Sequence, residues 1–277
     1  MEFLRNLLEI LDFQVSKPTL FGWFHILCFA LSIGLGVFLC LKWKNPTEKQ
    51  ARAILFTVSI IVVLLEVYKQ INYTFIPTET GIEGDFQWYA FPWQFCSMPM
   101  YVGLLAGILP KGKVHDALCA FLATYSIFAG LCVMIYPGDV FTQTLGINIQ
   151  TMICHGTMLS LGIFLLGTGY VKPQHKTILK AIPVFSAAVV IAMGLNELAH
   201  WTDFTNGETF NMFFISPYEA PSLAVYSIVQ QYVPYPFCLI IYIAAFSIAA
   251  YLMLLIAMGL HKAIKTAGAA CKRKELN

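Results

Sequence analysis

Seven stretches of this chain are apolar over lengths that match the hydrocarbon core of a bilayer: Leu20–Leu41, Ala53–Thr74, Trp93–Leu109, His115–Tyr136, Ile149–Val171, Ile178–Ala199 and Val233–Leu260. Lipid offers no partner to an unpaired backbone N–H or C=O, so such stretches cross as helices, and a core about 30 Å thick needs roughly 17–25 residues of helix. Apolar residues make up 58% of the 277 residues and charged ones 12%. Because the apolar runs recur along the whole length, a soluble core and a disordered chain are both excluded. The expected fold is all-α: a polytopic membrane protein, multi-pass in the cell membrane, with one seven-transmembrane-helix domain spanning residues 1–277.

Basic residues in short loops favour the cytoplasm. Lys42, Lys44, Lys49 and Arg52 lie between the first two spans, Lys111 and Lys113 between the third and fourth, and Lys172 and Lys176 between the fifth and sixth. A tail, 261–277, adds Lys262, Lys265, Lys272, Arg273 and Lys274. The opposite loops carry Glu79, Glu83, Asp85, Asp139, Asp203, Glu208 and Glu219 without Lys or Arg. The N-terminus is therefore expected outside and the C-terminus in the cytoplasm. The net charge of +2 gathers on one face, where anionic headgroups attract it; nucleic acid is not an expected partner.

At the start of the chain, Leu4, Leu7, Leu8 and Leu11 recur at helical spacing opposite Glu2, Arg5, Glu9 and Asp12. Residues 1–17 accordingly read as an amphipathic helix lying along the outer interface, not a cleavable signal peptide, whose apolar core the acids would interrupt. The eight cysteines show no CxxC spacing and fall almost all within spans. A secreted disulfide framework and a structural zinc site are thus not expected, and most of these thiols read as small apolar fillers.

Two connections on the outer side are long, Phe75–Pro92 and His200–Tyr232. The second combines turn signals at Asn206-Gly207, Ser216-Pro217 and Pro221 with Phe210, Met212, Phe213, Phe214 and Tyr218. It reads as a lid over the outer mouth (200–232), or equally as an interfacial aromatic belt. The third span is the shortest and is marked by Pro92, Pro99 and Pro110; such irregularity belongs where helices enclose a cavity. Its Gly103 and Gly107 form a GxxxG pattern suited to close helix approach. The absence of an internal repeat weighs against an inverted-repeat transporter.

Placed by depth, the polar side chains inside the spans crowd toward the outer half: His25, Glu66, Lys69, Gln70, Asn72, Gln94, Cys96, His155, Asn196, Glu197, His200 and Tyr235. An ionisable residue in lipid costs at least about 2.5 kcal/mol, so such groups face a polar cavity or one another. Glu66 and Lys69, three apart on one helix, are placed to neutralise each other, either as a structural pair or as part of a site. Cys96 begins a proline-perturbed helix, where free N–H groups and the positive end of the helix dipole favour a thiolate while apolar surroundings oppose it. His155 lies at matching depth on another span, and a Cys–His pair is the minimal arrangement for nucleophilic acyl transfer.

The segments Phe91-Pro92-Trp93-Gln94-Phe95-Cys96-Ser97, Cys154-His155-Gly156, Phe210-Asn211-Met212-Phe213 and Tyr232-Val233-Pro234-Tyr235-Pro236 resemble, in order and spacing, the bacterial YwaF-type integral membrane family. That family is grouped with the eukaryotic transmembrane protein 164 acyltransferases. The resemblance implies a seven-helix fold with a cysteine nucleophile and a histidine, roles that map to Cys96 and His155. Met212 stands where the family pattern leads one to expect Tyr.

The leading expectation is a membrane-embedded lipid acyltransferase or acyl hydrolase opening to the outer leaflet. It would act on phospholipid or lysophospholipid and need no cofactor or metal. His155 would deprotonate Cys96; Gln94, Ser97 or Asn196 would donate to the oxyanion, Glu197 would orient a histidine, and Glu66, Lys69 and Asn211 would support the pocket. Two other readings stay open: a transporter or receptor-like protein that binds a small solute without covalent chemistry, and a metal site drawn from Cys96, His155, His25 and His200.

Overall fold

The computed structural model describes residues 2–79, 81–220 and 223–275. Pro221 and the side chains of Cys271, Lys272, Arg273 and Lys274 lie outside the described residues. In chain order the helices are α1 (Glu2–Leu11), α2 (Trp23–Lys42), α3 (Glu48–Thr74), α4 (Met98–Ile108), α5 (Lys113–Phe121), α6 (Ile127–Ile135), α7 (Leu145–Gly167), α8 (Lys176–Thr202), α9 (Ala224–Tyr232) and α10 (Phe237–Glu275). A small antiparallel hairpin, β1 (Phe75–Pro77) and β2 (Ile82–Gly84), pairs Ile76 with Glu83.

Six helical stretches are long and apolar enough to cross a membrane: Trp23–Lys42, Glu48–Thr74, Lys113–Ile135, Leu145–Gly167, Lys176–Thr202 and Phe237–Ala267. The chain is a mostly helical, multi-pass membrane protein. The stretch expected as a third span is the shorter apolar helix Phe95–Ile108. It is short for a local reason: Trp93 and Gln94 precede a 3-10 turn at Phe95–Ser97, and α4 begins only with Pro99 at its first turn, where a missing N–H costs no hydrogen bond. The last long helix starts at Phe237, after Pro234 and Pro236, and the residues read as a basic tail continue it to Glu275.

Helix α7 is the pillar of the bundle. From Ile147 to Leu166 it is buried on nearly every face, with α2, α3 and α6 packed around it. Beside it, α3 and α4 meet along the GxxxG pattern: a Cβ at Gly107 would fall 2.8 Å from the Phe56 backbone, and one at Gly103 would collide with the Ser59 hydroxyl. Only glycine admits this approach. Helices α5 and α6 form one rod interrupted by a π-helical stretch, Leu122–Ser126. That stretch turns Tyr125 into an aromatic core, where its ring stacks on Phe185 at 4.6 Å between centroids and its hydroxyl meets Ser247 of α10.

The loops sort to two ends. At the basic end Arg52 donates to the carbonyls of Gly107 and Ile108, and Lys180 pairs with Asp116 at 3.0 Å. At the acidic end the N-terminal segment is sewn to α3 and α7: Tyr68 donates to the Leu11 carbonyl at 2.7 Å, and the Leu145 N–H to that of Phe13 at 2.9 Å. Phe3, Leu4, Leu7 and Ile10 of α1 stay exposed. The segment read as a lid contains the helix α9, which its turn signals did not foretell.

Candidate functional site

The 3-10 turn before α4 sends consecutive side chains in different directions. The Phe95 ring lies 5.3 Å from both Phe185 and Phe246 and 6.1 Å from Phe213. Cys96 turns toward α3, within electrostatic range of Glu66 and Lys69. The Cys96 side chain is exposed. Ser97 follows Cys96 in the same 3-10 turn, so its hydroxyl and the Cys96 N–H are near the sulfur by chain adjacency.

On α3, Lys69 Nζ meets Glu66 Oε1 at 2.8 Å. Gln70 donates to the same oxygen at 2.8 Å and to the Ala90 carbonyl at 2.9 Å, tying the pair to the segment that leads into Cys96. Lys69 also lies within electrostatic range of Cys154 and His155 on α7, and Cys96 within range of Cys154. An apolar groove of about 500 Å³ runs between α3 and α4, with Glu66 and Gln70 in a wall otherwise built by residues such as Val67, Met100, Tyr101 and Leu104.

His155 is buried, and its Nδ1 lies 2.8 Å from the Thr151 carbonyl. A carbonyl can only accept, so Nδ1 carries the proton and Nε2 keeps a lone pair. Among the described residues Nε2 has no hydrogen-bond partner, yet it is not a sealed orphan. The hydroxyl of Thr151 and the amide of Gln150 engage other atoms; Gln150 donates to the Cys154 sulfur at 3.3 Å. No hydrogen bond among the described residues joins Cys96 to His155.

The remaining expected site residues do something the sequence did not announce. Gln94 donates to the Asn211 carbonyl at 3.0 Å and accepts the Phe213 N–H at 2.9 Å. Asn196 grips the backbone of Met212, Asn211 accepts the Ser216 N–H at 2.9 Å, and Tyr242 donates to the Phe213 carbonyl at 3.1 Å. Together they hold Phe213 and Phe214 at φ of 58° and 57°, a left-handed conformation that costs a non-glycine residue on the order of 1–3 kcal/mol. The acceptor oxygen and one donor hydrogen of Gln94 and of Asn196 are spent on this clamp. Gln94 thereby ties the clamped loop to the segment just before Cys96, and of the three expected oxyanion donors Ser97 alone makes no side-chain hydrogen bond among the described residues.

Glu197 accepts from Trp201 at 3.1 Å and from the Tyr218 hydroxyl at 2.8 Å, not from a histidine; Tyr218 in turn stacks on His200 at 3.5 Å. His25 is likewise committed: Nδ1 accepts the Phe21 N–H at 3.0 Å, so Nε2–H donates to the Met134 carbonyl at 2.8 Å. Among the described residues no three of His, Cys, Asp and Glu converge as metal ligands would. A Cys–His contact missed in the sequence lies at the basic end, where Cys119 is 3.8 and 3.7 Å from the two ring nitrogens of His115. Its i, i+4 spacing was the available signal. Near-equal distances aim the sulfur at neither lone pair, which suits packing better than proton transfer.

The model of the TMEM164 family matches residues 20–254, a range that includes Cys96, His155 and the clamp. No curated protein and no solved structure matches the chain.

Proposed function

The chain belongs to the TMEM164 family, and from that premise we propose that it is a lipid acyltransferase or acyl hydrolase whose nucleophile is Cys96 and whose base is His155. The observation that carries the reading is an exposed thiol on the turn before α4, with an imidazole nitrogen free to accept a proton on another helix and one lysine within electrostatic range of both. In this reading the short helix Phe95–Ile108 completes a seven-helix bundle, and the positive-inside rule puts the N-terminus and the site on the outer side.

The reaction follows from the two groups. His155 Nε2 takes the thiol proton while sulfur attacks the ester carbonyl; the C–O bond breaks, the departing lysolipid oxygen takes the proton from the imidazolium, and a thioester remains on Cys96. A second alcohol, or water, then gives its proton to His155 and attacks the thioester, and the thiol is restored. In this reading Cys96 and His155, which share no hydrogen bond in the structure, come within proton-transfer reach when substrate binds. Ser97 and the Cys96 N–H sit beside the sulfur as donors to the oxyanion. The groove between α3 and α4 gives an acyl chain an apolar path ending at Glu66 and Gln70. Purified protein offered phospholipid and lysophospholipid should transfer acyl groups, and Cys96→Ala and His155→Ala should each abolish transfer while remaining folded; full activity in either variant overturns the assignment.

A further inference from the structure

A second hollow, at the basic end, has a chemistry that the proposed reaction does not use. It has a volume of about 280 Å³ and is lined by the exposed side chains of Lys111, Lys172 and Lys180, with Asp116, Tyr170 and Thr177 among its polar neighbours. Four separate segments build it: the turn after α4, the middle of α5, the connection after α7 and the first turn of α8. Asp116 is paired with Lys180 at 3.0 Å, while Lys111 rests its ammonium 5.7 Å from the Tyr170 ring. The nearby Glu48 is engaged by the Lys111 N–H and by Arg52. Lys111 and Lys172 therefore face the hollow with no carboxylate of their own among the described residues. The start of α8 lacks a side-chain cap, which adds the positive end of a 27-residue helix to the same wall.

Like charges held around one cavity repel, and an anion bound between them removes that cost. The cavity exceeds what a single small ion would fill, and ammonium groups act as point charges that suit phosphate oxygens. We propose that this chamber binds a phosphate group, carried by an anionic phospholipid at the basic face or by a small soluble phosphate. The site lies at the end opposite Cys96 and its occupation does not depend on acyl transfer.

The test compares wild-type protein, Lys111→Gln/Lys172→Gln, and a charge-matched control, Lys44→Gln/Lys49→Gln, whose exposed lysines lie outside the chamber. Each is reconstituted with vesicles of phosphatidylglycerol or phosphatidylcholine, and retained lipid is read by native mass spectrometry. In parallel, inorganic phosphate is titrated against chloride at matched ionic strength, with the thermal midpoint as readout. Wild type and control should bind alike, with at least a tenfold loss in the chamber variant. Loss confined to phosphatidylglycerol identifies a lipid headgroup, and loss of the inorganic phosphate response identifies a soluble ligand. Equal binding by all three proteins, or an equal loss in the control, overturns the proposal. Cys96→Ala should bind as wild type does, so failure of the acyl-transfer reading leaves this result standing.

Discussion

Asn196 holds Met212 by both ends of its side-chain amide: Oδ1 accepts the Met212 N–H at 2.8 Å and Nδ2 donates to the Met212 carbonyl at 3.1 Å. Both residues are buried, so the two bonds replace water that cannot reach the backbone there. Asn196→Ala leaves an N–H and a C=O without partners, and the expected loss is about 2–4 kcal/mol. Thermal unfolding in detergent checks this. Glu197→Gln, one residue on, retains an acceptor for Tyr218 and should stay within about 0.5 kcal/mol of wild type.

Gly130 lets α6 lie against the helix that carries His155. A Cβ there would sit 2.7 Å from the Met158 Cβ and 2.8 Å from the His155 carbonyl oxygen, and backbone cannot move aside as a flexible side chain can. Gly130→Ala should therefore cost about 1–3 kcal/mol through overpacking. Gly34→Ala has nothing within 4 Å of the new methyl. It should be neutral or stabilise α2 by up to about 1 kcal/mol, since alanine is the better helix former. Parallel melting curves distinguish the two.

The membrane-crossing helices were legible because hydropathy alone specifies a span. The two ends were legible because Lys42, Lys44, Lys49, Arg52, Lys111 and Lys172 share one sign and their loops meet in space. The pairing of Glu66 with Lys69 follows from i, i+3 spacing on one helix. What the sequence could not show was the clamp. Gln94 and Asn211 are 117 residues apart, and no local period links an amide before α4 to a loop after α8. Read singly, Gln94 and Asn196 looked like donors to a reacting oxygen; in the fold their amides also engage the backbone of the 211–213 loop. Helix α9 stayed hidden because its nine residues are too few to set a clear period beside Ser216-Pro217 and the prolines that follow.

Glu66 and Lys69 are partly buried at 18% and 12% side-chain exposure for the lysine and the glutamate. Removing one partner strands the other's charge, so Lys69→Met and Glu66→Gln should not be equivalent to the double change. Lys69→Met should cost about 3–5 kcal/mol, and adding Glu66→Gln should recover part of that loss. A double-mutant cycle on thermal or denaturant unfolding reads the coupling; additive losses would show that the two groups do not act as a pair.

The central claim is that Cys96 carries the acyl group. Purified protein incubated with a phospholipid bearing a deuterated acyl chain, quenched with acid and digested, should yield a peptide with that acyl mass on Cys96. The adduct should be removed by neutral hydroxylamine, absent from Cys96→Ala and greatly reduced in His155→Ala. Acyl transfer that proceeds in Cys96→Ala, or a thioester found on Cys119 instead, would contradict the account.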